Sequence, residues 1–64
     1  MKETIANYIN NNSQYTIVKD GMYYVECRTN GFLVKTVPFL TENEARHFAQ
    51  SNGTPTQQLL NEAH

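Results

Sequence analysis

Few side chains of this 64-residue chain are suited to chemistry, and their spacing does not assemble them into a site. Cys27 is the only cysteine. Its neighbours Val25 and Glu26 would not lower the thiol pKa, so we expect a buried and unreactive thiol. His47 and His64 have no metal-ligating residues at ligand spacing. The sequence therefore predicts a non-enzymatic protein with no metal centre and no cofactor.

Glu42 and Glu44 form a pair of neighbouring carboxylates, but a helix start explains them better than catalysis does. Thr41 and Glu44 have the spacing of a capping box, in which each side chain satisfies a free backbone N–H of the first turn. Acidic residues in that turn also favour the helix dipole. The pattern predicts a helix over 42–52, ended by Gly53 in the left-handed conformation.

Helical patterns are also expected at both ends of the chain. Residues 2–11 carry apolar side chains at the spacing of one helical face, namely Ile5, Tyr8 and Ile9. The asparagines that follow compete with the backbone for hydrogen bonds and end the pattern. A second capping box at 54–57, with proline at the first helical position, predicts a short helix over 55–63.

Two turn dipeptides organise the middle of the chain. Asp20-Gly21 and Asn30-Gly31 separate three β-forming runs, and such dipeptides are typical of tight hairpin turns. Residues 15–39 are therefore predicted to form a three-stranded antiparallel meander, with Pro38 on an edge strand. The whole chain, 1–64, is predicted to be a single small α+β domain in the order α-β-β-β-α-α.

The two turns also predict which side chains share a face of the sheet. If each is a two-residue loop, Val18 lies opposite Tyr23, and Glu26 lies opposite Lys35, where the opposite charges favour this register. One face is then free of charge and is predicted to be the core beneath the helices. It comprises Thr16, Val18, Tyr23, Val25, Cys27, Phe32, Val34, Thr36 and Pro38.

The second face mixes aromatic, aliphatic and charged side chains, which is unusual for the solvent side of a sheet. Residue types enriched at interfaces predict that this face binds a partner. The residues expected to carry binding are Tyr15, Tyr24, Arg28, Leu33, Lys35 and Phe39. Three alternatives stay open: a helix covers this face, a second copy packs on it, or a β-bulge exchanges the two faces.

Composition narrows the class of partner. Five Lys and Arg against six Asp and Glu give a net charge of −1, far from the basic balance of a nucleic-acid-binding protein. No apolar run approaches the length that spans a membrane, and no membrane partner is expected. A single free cysteine without a signal sequence predicts a cytoplasmic protein.

Size, near-neutral charge and a helix opening with Thr41-Glu42 after an antiparallel sheet give the chain a general resemblance to small inhibitors encoded by bacteriophages and mobile elements. Anti-CRISPR proteins and inhibitors of host RNA polymerase are examples. The resemblance implies stoichiometric binding to a larger host protein or nucleoprotein complex, which is blocked by occupancy. It assigns no individual residues.

Residues 15–52 resemble a second group through Phe39 and the segment 41–45, Thr-Glu-Asn-Glu-Ala. This pattern is similar to the arm-binding domains of tyrosine recombinases and to AP2-like DNA-binding domains. The resemblance implies a sheet face that enters the DNA major groove, with Lys19, Arg28 and Lys35 on that face. Because Glu26 would lie in its middle, protein binding is the leading prediction. DNA binding and a homodimer are the alternatives.

Overall fold

A computed structural model describes residues 1–55, which form a five-stranded antiparallel sheet with one helix on one face. The sheet has the strand order β4-β3-β2-β1-β5. Four consecutive strands therefore form a meander, and the chain returns after the helix to add a short fifth strand beside β1. The elements are β1 (Glu3–Asn10), β2 (Ser13–Asp20), β3 (Met22–Thr29), β4 (Phe32–Phe39), α1 (Glu42–Asn52) and β5 (Thr54–Pro55).

The predicted order α-β-β-β-α-α is wrong at its N-terminus, because residues 2–11 contribute strand β1 and not a helix. A β-bulge explains part of the helical spacing: the pairing with β2 shifts between Thr4 and Ala6, so Ile5 has no partner in the register and shares a face with Tyr8, whereas Ile9 lies on the opposite face. Ile5, Ala6 and Tyr8 all pack on the core, which imitates one helical face. The asparagine run forms a turn to β2 with Asn11 at φ 56°.

The register between β2 and β3 differs by one residue from the prediction. Asp20 pairs with Met22, so only Gly21, at φ 77°, separates the paired residues. Val18 consequently lies opposite Tyr24, not Tyr23. Because side chains alternate along a strand, this single shift moves every side chain of β2 to the other face relative to β3.

The turn between β3 and β4 is the two-residue loop that the sequence predicts, since Thr29 pairs with Phe32 across Asn30-Gly31. Asn30 and Gly31 both have positive φ, at 54° and 85°. The next pair, Arg28 with Leu33, also follows the predicted register, which fails from Cys27 onward.

A bulge lies between the pairs Arg28–Leu33 and Cys27–Lys35, which leaves Val34 without a partner. Glu26 therefore lies opposite Thr36, and the predicted pairing of Glu26 with Lys35 is wrong. The charge match across the strands was thus a coincidence of spacing, because a one-residue bulge leaves no mark in the alternation of residue types.

The core lies between α1 and one face of the sheet. Ala45 and Ala49 are fully buried, and their small side chains bring the helix close to the sheet. They pack with residues of the first three strands, Tyr8, Ile17, Val25 and Cys27.

The predicted core face is correct for part of β3 and wrong for most of its neighbours. Tyr23, Val25 and Cys27 do face the helix. Tyr15 and Phe39, predicted to bind a partner, join them there together with Ile17. The register and alternation place four residues of the predicted core on the opposite face: Thr16, Val18, Thr36 and Pro38.

The start of α1 confirms the predicted capping box, with the Glu44 N–H donating to Thr41 Oγ1 at 3.2 Å. The helix ends at Asn52 as expected, but Gly53 is extended at φ −161° and not left-handed. Its N–H donates to the Ala49 carbonyl at 2.9 Å.

After Gly53 the chain forms β5, in which Thr54 pairs with Ile9 and Pro55 with Tyr8. Thr54 and Pro55 therefore form a strand and not the start of a helix, and the prediction of two C-terminal helices is wrong at this point. The rest of the predicted helix over 55–63 lies outside the described residues.

Candidate functional site

The structure divides the six residues predicted to bind a partner between the two faces of the sheet. Tyr15 and Phe39 lie on the helix side, where each ring contacts Phe48 of α1. The ring centroids are 6.5 Å apart for Tyr15 and 5.5 Å apart for Phe39. These two aromatic side chains are partly buried and support the packing of the helix on the sheet.

Tyr24, Arg28 and Leu33 lie on the face that α1 does not cover, hereafter the open face. Arg28 pairs directly with Leu33, and Tyr24 lies four residues before Arg28 on the same side of β3. Lys35 pairs with Cys27, on the helix side of the edge strand, and is exposed. The structure therefore brings together three of the six residues, and their role in binding stays a prediction.

The centre of the open face is an ion-pair network around Glu26. This carboxylate, with a side chain only 14% exposed, accepts from Lys2 Nζ at 2.9 Å and from Arg28 Nη1 at 3.1 Å. The hydrogen bond from Lys2 is the largest cause that lowers the pKa of Glu26 below its ordinary value, and that from Arg28 adds to it against the opposing effect of burial. Lys2 must cross β2 to reach β3, and Val18 on the crossed strand is only 2% exposed.

A second polar group on the open face is built around Asn7. Its Oδ1 accepts from Gln14 Nε2 at 3.0 Å and from Thr16 Oγ1 at 2.9 Å. Hydrogen bonds between neighbouring strands hold these side chains in place. The middle of the open face is thus a polar surface that largely satisfies itself, and a partner would gain little by replacing its internal bonds.

A different surface is exposed at the start of β4. Three consecutive large apolar side chains, hereafter the apolar corner, lie on the edge of the sheet: Phe32, Leu33 and Val34 are 76%, 54% and 64% exposed. Phe32 and Leu33 point to opposite faces because they are successive residues of a strand. The corner therefore presents apolar surface on both sides of the edge.

Sequence reasoning identified Leu33 in this corner but assigned Phe32 and Val34 to the core. An apolar run of three residues in an edge strand was the available signal, since alternation should place a polar residue among them. The bulge at Val34 obscures this pattern, because the alternation of side chains between the two faces of the sheet starts again at Lys35.

Strand β4 is the free edge of the sheet formed by residues 1–55, and it carries three features that discourage pairing with another strand. The bulge interrupts the ladder at Val34, Lys35 places a charge beside it, and Pro38 lacks an N–H. Natural sheets use bulges, lysines and prolines to keep edges from joining other chains. A partner is therefore expected to contact the side chains of β4 and not to extend its ladder.

An open groove of about 510 Å³ lies along α1 beside Phe39, the last residue of β4. Phe39 and Phe48 make it apolar, and the exposed side of the helix forms its other wall. Lining residues are Phe39, Asn43, Glu44, His47, Phe48 and Ser51. Among the residues predicted to bind a partner, Phe39 is the one that lines this groove.

No reactive constellation accompanies these surfaces within residues 1–55. Burial raises the pKa of the Cys27 thiol, which disfavours the thiolate needed for a nucleophile. The described part of the chain holds no group of three or more His, Cys, Asp or Glu side chains able to bind a metal ion. It also has no helix long and apolar enough to cross a membrane.

Comparison with known proteins adds no assignment: no protein family, curated protein or solved structure matches the chain. The resemblances to small phage inhibitors and to AP2-like domains remain predictions from the sequence.

Proposed function

We propose that the protein is a non-enzymatic binding module that recognises another protein through the apolar corner and the adjoining side chains of β4. One observation carries the proposal: three consecutive large apolar side chains are more than half exposed at a free sheet edge. Contiguous exposed apolar surface on a small domain is typical of an interaction site. Aromatic and aliphatic side chains at such a site are the residue types found in interface cores.

The corner contributes little to the fold, which supports a role in binding. The buried cluster is built from β1, β2, β3 and α1, and none of the three corner residues belongs to it or packs against it. A domain of this size buries only about 60% of its unfolded surface, so apolar side chains left outside the core are a cost in solubility without a gain in stability. Contact with a partner would account for them.

The distribution of charge favours a protein partner over DNA. Of the five Lys and Arg side chains, Lys2 and Arg28 pair with Glu26, and Arg46 pairs with Glu42 at 2.7 Å. Lys19 lies over the ring of Tyr23. Attraction to phosphates depends on cations that are free to replace counterions, and the open face offers few.

Binding without chemistry would act by occupancy: the bound domain blocks a site on a larger partner. The resemblance to small phage inhibitors suggests a host defence or transcription complex as that partner, and this setting is part of the proposal. The expected contacts are the corner side chains in the partner's apolar pockets, with Tyr24 and Arg28 at the rim.

Photo-crosslinking tests the proposal in the cell that naturally makes the protein. A benzophenone amino acid is placed at Leu33, and a matched control is placed at Ile9, an exposed apolar residue in the same cross-strand row at the other end of the four-stranded meander. We expect position 33 to cross-link to one other protein and position 9 not to do so. Val34→Ser should abolish the product.

Three other results would overturn the proposal. A product containing only a second copy of the chain would indicate a homodimer. A product removed by nuclease, together with duplex DNA binding that weakens steeply with salt, would indicate a DNA-binding domain. Equal cross-linking from Leu33 and Ile9 would show that the corner is not a specific site.

A further inference from the structure

Two Asn-Gly dipeptides of the chain, Asn30-Gly31 and Asn52-Gly53, lie in different surroundings. At such a dipeptide the peptide nitrogen of the glycine can attack the side-chain amide of the asparagine, because no Cβ on the glycine shields that nitrogen. The reaction needs a free side-chain amide, a free peptide N–H and open space around them. These conditions are met at the first dipeptide and not at the second.

Asn30-Gly31 is the exposed loop of the hairpin between β3 and β4. The Asn30 N–H donates to the Asn12 carbonyl at 2.9 Å, so the backbone is held just before the reacting groups. Within residues 1–55 neither the Asn30 side chain nor the Gly31 N–H makes a hydrogen bond. A Cβ at Gly31 would meet no described atom within 4 Å beyond its chain neighbours. The amide and the nitrogen that would attack it are therefore free to meet.

Asn52-Gly53, at the end of α1, has both reacting groups engaged. The Asn52 side-chain amide donates to the Phe48 carbonyl at 2.7 Å, and the Gly53 N–H donates to the Ala49 carbonyl at 2.9 Å. A Cβ at Gly53 would lie 2.9 Å from the Ile9 carbonyl oxygen, so the backbone of β1 fills the space beside this dipeptide. The end of the helix must open before the same reaction can begin here.

We propose that Asn30 is a site of spontaneous deamidation and isomerisation, and that the isomerised product displaces the apolar corner. The Gly31 nitrogen attacks Asn30 Cγ: the N–Cγ bond forms, the Cγ–Nδ2 bond breaks, and ammonia leaves with the proton of the Gly31 N–H. Water then opens the cyclic imide, adding its hydroxyl to one of the two carbonyl carbons and a proton to the nitrogen. Cleavage at Cγ gives aspartate, whereas cleavage at the main-chain carbonyl carbon gives isoaspartate.

Isoaspartate lengthens the turn, because the chain then runs through the side-chain carbons of residue 30 and gains one backbone atom. The two-residue loop has positive φ at both Asn30 and Gly31, a geometry whose length and twist match the strands that it joins. Thr29 pairs with Phe32 directly beyond the loop, so the added atom must displace that pair. Because Phe32 begins the apolar corner, the effect on binding rests on the proposed function. Aspartate keeps the loop length and tolerates positive φ, and it changes only the charge.

Ageing of the purified full chain in mildly alkaline buffer tests the site, and peptide mass spectrometry measures conversion at both asparagines in one sample. In the folded chain Asn30 should convert at least about tenfold faster than Asn52, which corresponds to an opening cost of about 1.4 kcal/mol at the helix end. In guanidinium chloride the two rates should become similar, because both dipeptides are then exposed. Equal rates in the folded chain, or no conversion at Asn30, would overturn the proposal.

Amide hydrogen exchange measures the displacement of the turn without any partner. The isoaspartate form is separated from the aged chain and compared with the unmodified chain and with Asn30→Asp, which carries the added charge on an unchanged backbone. Exchange at the Phe32 amide should be at least about tenfold faster in the isoaspartate form, whereas the pairs between β1 and β2 should exchange as before. Asn30→Asp should resemble the unmodified chain. Unchanged exchange in the isoaspartate form would show that the turn absorbs the extra atom and would overturn the displacement.

The Leu33 cross-link separates this inference from the proposed function. Chains with benzophenone at Leu33 are added to an extract of the cell that naturally makes the protein. The isoaspartate form should give at least about fivefold less partner product than the unaged chain, which corresponds to about 1 kcal/mol. Aged Asn30→Gly, which keeps positive φ and has no amide to react, is the control and should lose none.

Two outcomes of the cross-linking would point in different directions. Equal yields from the isoaspartate form and the unaged chain would overturn the effect on the apolar corner and leave the proposed function intact. No product from the unaged chain would overturn the proposed function, whereas the conversion of Asn30, measured by mass alone, would still support the modification site.

Discussion

The two edges of the sheet are treated in different ways. At the β1 edge the chain returns to add β5, and Gly53 approaches the backbone of Ile9 so closely that a Cβ there would lie 2.9 Å from the Ile9 carbonyl oxygen. At the β4 edge no strand follows within residues 1–55, and the side chains are largely exposed. One edge is closed by the chain itself, and the other is open to side-chain contacts.

This difference shows how a small sheet can leave one edge accessible without inviting aggregation. A free edge normally offers a row of backbone donors and acceptors to any other strand. Here the bulge, the lysine and the proline of β4 restrict backbone pairing, while the apolar corner remains available. Recognition at this edge would therefore depend on side-chain fit, which is more selective than ladder formation.

The largest difference between the edges should appear when an aromatic side chain is truncated in each. Tyr8 is 2% exposed on β1, and its truncation to alanine should lower the free energy of unfolding by about 3–5 kcal/mol, enough to unfold a domain of this size. Phe32→Ala at the open edge should change it by less than about 0.5 kcal/mol. Urea denaturation followed by circular dichroism measures both.

Tyr8→Phe is the control for the first substitution. It keeps the buried ring and removes only the hydroxyl, which accepts from Arg46 Nη1 at 3.4 Å. It should behave nearly as the unmodified chain. Comparable destabilisation by Tyr8→Ala and Phe32→Ala would contradict the view that the open edge lies outside the core.

Gly53→Ala should open the closed edge. The added Cβ meets backbone atoms of Ile9, which cannot rotate away, so the pairing of β5 with β1 should be lost at a cost of about 1–2 kcal/mol. Faster amide hydrogen exchange on the outer side of β1, with β4 unchanged, is the expected signature. Gly21→Ala is a poor control because its φ is positive, so Ser51→Ala serves better.

Glu26→Gln should weaken the ion pair by which Lys2, just before β1, is joined to β3. Because the native pKa of Glu26 is lowered, its stabilisation is fully present above the ordinary value of 4.5 and is lost as the pH falls through the lowered pKa. Since Lys2 is more than half exposed, we expect a loss of only about 1 kcal/mol at pH 7. Urea titrations at a series of pH values should show a shallower loss of stability below pH 4.5 than in the unmodified chain.

The smallest change in stability is expected when the protective features of β4 are removed. Pro38→Thr combined with Lys35→Thr should alter the free energy of unfolding by less than about 0.5 kcal/mol, since both side chains are exposed. It should nevertheless promote concentration-dependent self-association, detected by sedimentation velocity. A chain that stays monomeric would show that the bulge alone protects the edge.

The parts of the fold that local chemistry determines could be predicted from the sequence. The Asn30-Gly31 turn needs positive φ, and the Thr41–Glu44 capping box needs its two side chains at fixed spacing; both are present. Strand β1 was mistaken for a helix because the bulge at Ile5 places Ile5 and Tyr8, three residues apart, on the same face.

The candidate site was less predictable, because it depends on register between distant residues. The Gly21 turn and the Val34 bulge each move the pairing by one residue, and together they place Tyr15 and Phe39 with the helix and leave Tyr24 with Leu33 on the open face. The run of three apolar residues at 32–34 was the one signal of the second irregularity, and it does not say on which residue the bulge falls. Exposure of Phe32 and Val34 follows only from these three-dimensional relations.

Cys27 has a practical consequence, because the only thiol of the chain is buried in the strand that borders β4. A thiol reagent can modify it only when the core between α1 and the sheet opens, so the labelling rate measures the free energy of that opening. The unmodified chain therefore reports this opening without an engineered cysteine. A partner that binds the apolar corner should slow the labelling, because it binds the closed sheet in preference to the opened one.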